Sequence, residues 1–263
     1  MKIKKEMMRN HGFYLVLFLV SFLGLCRYAH ADDNESERSF ARANLLYKEN
    51  KYAEAIAEYE RILNAGFENG SLYYNLANSY FREGELGEAV VDYERAKLFI
   101  PNDSDLKVNH DYAKSLLRLD SQDVARKGVF RYIDKAFEGI TLNYLTIILA
   151  LLHTMIFILL ILRLSSRGAR RFLKPLIVSL SLIFILGCIS LKRKIAYIQR
   201  CAVVVSKEIE SKFEPLESAT TYFTLGEGSK VEVIESSGVW RKIRRFDGKA
   251  GWVMSEGIQF ISS

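Results

Sequence analysis

The sequence predicts a multidomain membrane protein with three unlike parts: an all-α stack of helical repeats, a two-helix transmembrane hairpin and a small all-β barrel. Three observations carry that prediction. Residues 32–120 resemble themselves when shifted by thirty-four positions, two long apolar runs hold no Asp, Glu, Lys or Arg, and after residue 199 the spacing of apolar residues changes from helical to alternating. Bulk averages conceal this, because 263 residues with 26% charged side chains and a formal net charge of +6 describe an ordinary basic soluble protein.

Charge counted by segment separates the parts. Residues 1–31 carry a net +4, 32–140 a net −6, 141–198 eight basic and no acidic side chains, and 199–263 nine of each. Neither soluble region is basic, which argues against nucleic acid as a partner, since phosphate binding needs Lys and Arg gathered on a folded face. Cysteines stand at 26, 188 and 201. No disulfide framework within a soluble domain and no cysteine-based zinc site can be built from them.

At the start, Lys2, Lys4, Lys5 and Arg9 precede the apolar run from Phe13 to Leu25, and Ala29-His30-Ala31 offers small residues for cleavage. Residues 1–31 therefore read as a secretory signal, with a mature chain from Asp32. Leu25 before Cys26 disfavours a lipoprotein, which needs a small residue there. Thirteen apolar residues are short for an uncleaved anchor, which needs ~20.

The repeat domain is expected over 32–120. Ala43-Asn44 matches Ala77-Asn78, Asn50 matches Gly84, Ala55 matches Ala89, and Tyr59 matches Tyr93. Each unit should hold two helices, broken at Asn50-Lys51 and Gly84-Glu85, where Asn or Gly adopts the positive φ that ends a helix. Small alanines let the paired helices approach, and Tyr59, Tyr93 and Leu76 fill the layer between. Pro101-Asn102-Asp103 should stop the fourth helix and cap a fifth, about Asp103–Leu119, that closes the stack. Tyr73, Leu76, Ala77, Tyr80, Gly84, Ala89, Tyr93, Ala96 and Pro101 resemble the tetratricopeptide repeat signature. That resemblance implies a groove lined by the first helix of each unit, with Phe40, Asn44, Tyr47 and Lys48, then Tyr74, Asn78, Phe81 and Arg82, and Tyr112 nearby. Aromatic rings beside Asn, Lys and Arg suit an extended peptide or another protein's helix. The opposing reading is that the asparagines bond neighbouring turns and the rings only pack.

Residues 121–141 are expected to form a juxtamembrane amphipathic segment, because Val129, Phe130, Ile133 and Phe137 recur at near-helical spacing among Lys127, Arg131 and Lys135. It is read either as lying on the membrane surface or as extending the first span. The apolar runs 142–162 and 175–191 are each long enough to cross a ~30 Å hydrocarbon core. The loop 163–174 holds five basic residues and no acid, so it is expected in the cytoplasm. Both soluble regions then face the periplasm or exterior. Lys192, Arg193 and Lys194, on the outer side, run against that rule.

From 199 to 263, strands are expected at Ala202–Ser206, Thr220–Leu225, Lys230–Ser236, Trp240–Arg245 and Gly251–Met254, punctuated by Gly226-Glu227-Gly228, Ser237-Gly238 and Asp247-Gly248. Tyr222–Gly228, Val231, Val233, Trp240–Ile243 and Asp247–Val253 resemble a bacterial SH3-like domain. Tyr222 and Trp240 are candidates for a ligand surface on it, while Trp252 is expected in the barrel core.

Catalytic chemistry is missing from the sequence. His110 is the one histidine in the soluble regions, and no phosphate loop, nucleophile elbow, metalloprotease helix or metal-spaced cysteine pair is present. No enzyme activity, metal or cofactor is expected. Taken in order, these parts resemble BatE-type proteins of the bacterial aerotolerance operon, with Phe40–Tyr59, Ser71–Pro101 and Val231–Val253 carrying the likeness. The resemblance implies an inner-membrane scaffold in an envelope-stress or oxygen-tolerance complex. Its partners would be von Willebrand A-type membrane proteins, BatD and a MoxR-type ATPase. The alternative is a sensor or tether that binds peptidoglycan through the SH3-like domain.

Overall fold

The computed structural model describes residues 33–117, 139–165 and 170–262. The expected signal 1–31, most of the juxtamembrane segment and the middle of the basic loop lie outside the described residues. The chain divides into two compact units at Ser39/Phe40, and all that follows concerns the larger, Phe40–Ser263, together with the helix that crosses the division.

Five helices build the repeats: α1 (Asp33–Lys48), α2 (Tyr52–Asn64), α3 (Gly70–Glu83), α4 (Leu86–Phe99) and α5 (Ser104–Leu116). Their ends are set by local chemistry. Asn50 takes φ 60° between α1 and α2, and Gly84 takes φ 88° after α3, both in the left-handed region that stops a helix. Asn69 caps α3 by accepting from the Leu72 N–H at 2.8 Å, and Asp103 caps α5 by accepting from the Leu106 N–H at 2.8 Å. The two caps are thirty-four residues apart, as are Leu72 and Leu106. By this register α5 is the first helix of a third unit, one the sequence reading had taken only as a lid. Ala43, Ala55, Tyr59, Ile62, Leu72 and Leu76 form one buried core, and Tyr73, Ala77, Ala89, Tyr93, Ala96 and Leu106 belong to a second.

Helices α6 (Leu142–Ser165) and α7 (Arg170–Ile198) pack as a hairpin. Both are long and apolar enough to cross a membrane, and only 11% of each apolar stretch is buried, so no soluble core covers them. Gly187 permits the closest approach: a Cβ there would come within 2.5 Å of Leu149 Cδ2. Helix α7 continues past the apolar run to Ile198, so the three basic residues at 192–194 lie on the helix. Lys194 Nζ donates to the Ile140 carbonyl, joining α7 to the chain just before α6. That contact gives Lys194 a structural role.

Seven antiparallel strands follow: β1 (Cys201–Val204), β2 (Glu208–Lys212), β3 (Thr221–Gly226), β4 (Lys230–Ser237), β5 (Trp240–Arg244), β6 (Ala250–Met254) and β7 (Ile258–Phe260). Their hydrogen-bonded order is β3-β2-β6-β5-β4-β1-β7, an open sheet with β3 and β7 at its edges. The sequence had indicated five of them. Strand β1 is buried along its whole length because its alternate side chains serve two cores. Ala202 and Val204 point into the sheet's own core with Leu225, Val231, Ile243 and Val253, whereas Cys201 and Val203 join the core of the second helical repeat.

Helix α4 lies against this sheet. Arg95 donates from Nε to the Ile261 carbonyl at 3.2 Å and from Nη2 to the Phe260 carbonyl at 2.9 Å. Lys230 Nζ donates to Glu94 at 2.8 Å, and Glu227 accepts from the Gly87 N–H at 2.6 Å. A Cβ at Gly87 would meet the Val205 Cα at 2.9 Å, so the backbones touch there.

Candidate functional site

The residues proposed to line the groove come from the first helix of each unit, and the structure brings them onto one side through polar contacts that repeat. Tyr59, fully buried on α2, donates its hydroxyl to Asn44 Oδ1 at 2.6 Å, and Asn75 Nδ2 donates to the same oxygen at 2.8 Å. Thirty-four residues on, Tyr93 donates to Asn78 Oδ1 at 2.7 Å and Asn109 Nδ2 donates to it at 3.1 Å. Each seam ties the first helix of one unit to the second helix of that unit and the first helix of the next. Burial pushes the Tyr59 phenol up to about 12, and Tyr93 shifts in the same direction for the same reason. Both phenols stay protonated as donors at neutral pH.

Asn44 and Asn78 thus do the work that the opposing reading assigned them, with their carbonyl oxygens spent inside the fold. Other candidates are more open. Phe40 packs on Tyr59 with centroids 5.9 Å apart, and Tyr47 meets Tyr52 edge-on at 5.3 Å. Tyr74 accepts from Asn109 at 2.8 Å through its hydroxyl, and Phe81 lies 5.6 Å from the ring of Tyr112, which is 56% exposed. Lys48 and Arg82 are exposed at the last turns of α1 and α3. Burial pushes the Tyr47 phenol upward, while the Arg82 guanidinium pulls against the shift.

Further members of this surface were not singled out from the sequence. Val108 and Leu116, 65% and 49% exposed, flank Tyr112 at spacings of four on α5. Tyr52 holds Arg82, and Asn75 and Asn109 complete the seams. The signal for Asn109 was present as a thirty-four-residue shift from Asn75, one unit beyond the region where the repeat had been counted.

The opposite side of the second unit is ionic and buried. Asp92 accepts from Arg95 Nη1 at 2.9 Å, and the burial of this carboxyl raises it to about 7 despite the guanidinium. Burial also acts to raise Glu94, but the Lys230 ammonium, with His110 and Lys97 behind it, outweighs that and holds Glu94 below the usual carboxylate range. Burial lowers His110 to about 4, against the pull of Glu94. His110 is therefore neutral near pH 7, and its 3.5 Å approach to Glu94 is not an ion pair there. These groups brace α4, α5 and β4. Among the described residues no cluster of His, Cys, Asp and Glu has the arrangement of a metal site.

The candidates on the sheet separate by exposure. Tyr222 is 40% exposed and its ring lies tilted against that of Phe213, itself 58% exposed, with centroids 4.4 Å apart. Trp240 is 8% exposed on β5 and Trp252 is 7% exposed on β6, where Lys242 lies 5.4 Å from its ring. Sequence comparison agrees with the helical geometry. No curated protein matches the chain. Residues 70–103, which run from the start of α3 to the cap of α5, match the tetratricopeptide repeat family.

Proposed function

We propose that the protein is a non-enzymatic, membrane-anchored scaffold whose α1/α3/α5 face docks a segment of another protein. The observation that carries this is the exposed apolar surface of Val108, Tyr112 and Leu116 beside the half-buried rings of Tyr74 and Phe81, held by seams that spend their polar atoms internally. A tetratricopeptide repeat suits protein–protein contact, and rings on a rigid frame bury area at low entropic cost. The α6–α7 hairpin supplies the anchor. Docking of α4 on the sheet supports a two-span topology, since parts that share a core must lie on one side of a bilayer. With the basic connecting loop in the cytoplasm, that side is the periplasm of a bacterial inner membrane. The further reading is a BatE-like aerotolerance or envelope-stress complex, with von Willebrand A-type proteins, BatD and a MoxR-type ATPase as partners. It rests on the sequence resemblance. A photo-crosslinker at Tyr74 or Phe81 in cells should capture a discrete envelope protein, and a crosslinker at exposed Lys107 should not. Equal capture from both positions, or none from either, would reject the groove.

A second reading is favoured by one observation, the exposed Phe213–Tyr222 ring pair at the sheet, which we read as an SH3-like domain. Exposed paired rings of this kind suit cell-wall glycan or peptide. Because Cys201 and Val203 belong to the core shared with α4, the full chain is the proper material to test. Sedimentation with peptidoglycan sacculi that is abolished by Phe213→Ala/Tyr222→Ala would support this reading, and no sedimentation would sink it.

A further inference from the structure

We propose that the protein pairs with a second copy of itself inside the membrane: one face of α6 packs against the same face of its partner, and the two His153 imidazoles hydrogen-bond to each other. This rests on the reading of the α6–α7 hairpin as a membrane anchor.

Helix α6 carries one polar group that surrounding hydrocarbon would leave unsatisfied. His153 stands eleven residues from each end of the apolar stretch Leu142–Leu164. That is about 16 Å at 1.5 Å per residue, which puts it at the midplane of a core ~30 Å thick. Its side chain is exposed, and its ring lies tilted against that of Phe184 on α7, with centroids 5.6 Å apart. A phenyl ring offers no N–H or lone pair, and neither nitrogen of His153 has a hydrogen-bond partner among the described residues. The threonines of the helix are settled differently. Thr146 donates to the Leu142 carbonyl at 2.8 Å, and Thr154 to the Ala150 carbonyl at 2.9 Å. An imidazole cannot reach back to its own helix in this way. Left in lipid it costs free energy, which is why such groups in spanning helices face a protein partner or water.

The partner's place is marked by the residues around His153. Asn143, Thr146, Ala150, His153, Phe157 and Leu160 are spaced three, four, three, four and three apart. This is the a and d pattern of a seam between two helices. The seam that faces α7 is a different one. The buried side chains of α6 are Leu145, Leu149 and Ile156, and Leu149 meets Gly187. The His153 face lies one residue round from it, about 100° on the helix, and remains open beside the hairpin. Ala150, next to the imidazole, lets a second backbone come close. On the far side of α6, Ile148 and Met155 are exposed and purely apolar, as lipid requires.

A second copy fits this face because it brings the required chemistry at the required depth. Copies of one chain enter a membrane in the same sense, so their α6 helices run parallel, and a two-fold axis along the membrane normal sets each residue level with its own counterpart. A neutral imidazole holds one N–H donor and one lone-pair acceptor. Two of them at one level satisfy each other, and the two Asn143 carboxamides do the same nearer the surface. The helix of a different protein would need a polar side chain of its own at the midplane.

The test is cysteine crosslinking of the full chain in the membranes of expressing cells, on a Cys26→Ala/Cys188→Ala background in which the remaining Cys201 is buried. Single substitutions Asn143→Cys, Thr146→Cys, Ala150→Cys and Phe157→Cys should give oxidised dimers, and Ile148→Cys and Met155→Cys should not. Energy transfer between labelled full-length copies diluted in lipid vesicles then reads the affinity. His153→Leu should weaken pairing about three- to tenfold, the scale of one interhelical hydrogen bond in a bilayer. His153→Asn, which keeps a donor and an acceptor, should restore it. Equal crosslinking on both sides of α6 would mean random collision and overturn the proposal. So would capture of a different protein at the seam positions, or unchanged affinity in His153→Leu. No dimer from a chain that resists carbonate extraction would overturn the pairing and leave the anchor standing, whereas release of the chain by carbonate would overturn both.

Discussion

The first and second helical units carry the same acid–arginine pair in the same register and put it in opposite surroundings. On α2, Glu58 meets Arg61 at 2.7 Å, with the arginine side chain 58% exposed and the pair shared with Arg42 at 3.4 Å. Thirty-four residues later on α4, Asp92 meets Arg95 at 2.9 Å, with side chains 3% and 13% exposed. Glu60 and Glu94 form a second matched pair: Glu60 accepts from the Tyr80 hydroxyl at 2.5 Å in an exposed contact, whereas Glu94 is buried against Lys230. Repetition of sequence fixes where these groups stand on the helix. What they contribute depends on whether a sheet covers them, because desolvation decides the energy of an ion pair more than its distance does.

The sharpest way to break this comparison is to remove the two arginines separately. Arg95→Ala strands the buried Asp92 and leaves the Phe260 and Ile261 carbonyls without their donor, so it should cost about 3–5 kcal/mol, the range for breaking a buried pair. Arg61→Ala should cost no more than about 1 kcal/mol, the range for exposed pairs. Denaturant or thermal unfolding of the detergent-solubilised full chain reads both. Equal losses would mean that α4 and the sheet are not docked as described.

The buried side should also show a pH response that the exposed side lacks, but with two opposing parts. His110 is lowered from 6.5 to about 4, so the unfolded chain takes up its proton first as pH falls. Its contribution to stability is full above pH 6.5 and is lost on the way down to 4. Asp92 is raised from 3.8 to about 7, so the folded chain holds the extra proton, and its effect runs the other way: stability falls as pH rises from 4 to 7. The groups facing His110 are Glu94, Lys97, Lys114 and Lys230, and those facing Asp92 are Arg95, Glu60 and Glu88. In the wild type the two slopes largely cancel between pH 4.5 and 6.5. His110→Leu should expose a decline with rising pH and Asp92→Asn a gain, each at most about 1.4 kcal/mol per unit. Below pH 4.5 the lowered Glu94 adds an acid loss in every variant that keeps it. Variants with parallel pH profiles would show that neither group titrates in this environment.

What could be read beforehand follows the same division. The repeat register, the helix breaks at Asn50 and Gly84, and the two apolar helices were legible because each is encoded within a few residues of itself. Strand β2 was not seen, since Glu208–Lys212 is mostly polar and gains its strand character by pairing with β3. Nor was β7, three residues long and held by β1. The contact of α4 with the sheet was invisible: Glu94 and Lys230 are 136 residues apart, and each alone looks like a solvated charge. Helix α5 fell between, with its cap and Asn109 in register but His110 where the earlier unit has Leu76. Of the candidate site, the aromatic and basic positions could be named from the repeat signature. The anchoring of Arg82 through Tyr52 could not, because Tyr52 lies on the neighbouring helix α2.

The smallest effect tests whether the seams obey repetition where the ion pairs do not. Tyr59→Phe and Tyr93→Phe each delete one hydroxyl from a fully buried ring. In both cases the partner oxygen keeps a donor, Asn75 Nδ2 on Asn44 and Asn109 Nδ2 on Asn78. No buried acceptor is stranded, so each should cost only the net value of one hydrogen bond, about 0.5–1.5 kcal/mol. The costs should agree within about 0.5 kcal/mol and add in the double variant, since the two seams share no partner. Equality here, beside the inequality of Arg61 and Arg95, would show that the groove-side frame is maintained locally within each unit while only α4 depends on the sheet. A Tyr93→Phe loss several times that of Tyr59→Phe would instead make the second seam part of the docked interface. The groove and the sheet contact would then respond to each other through Tyr93 and His110, whose rings lie 5.7 Å apart.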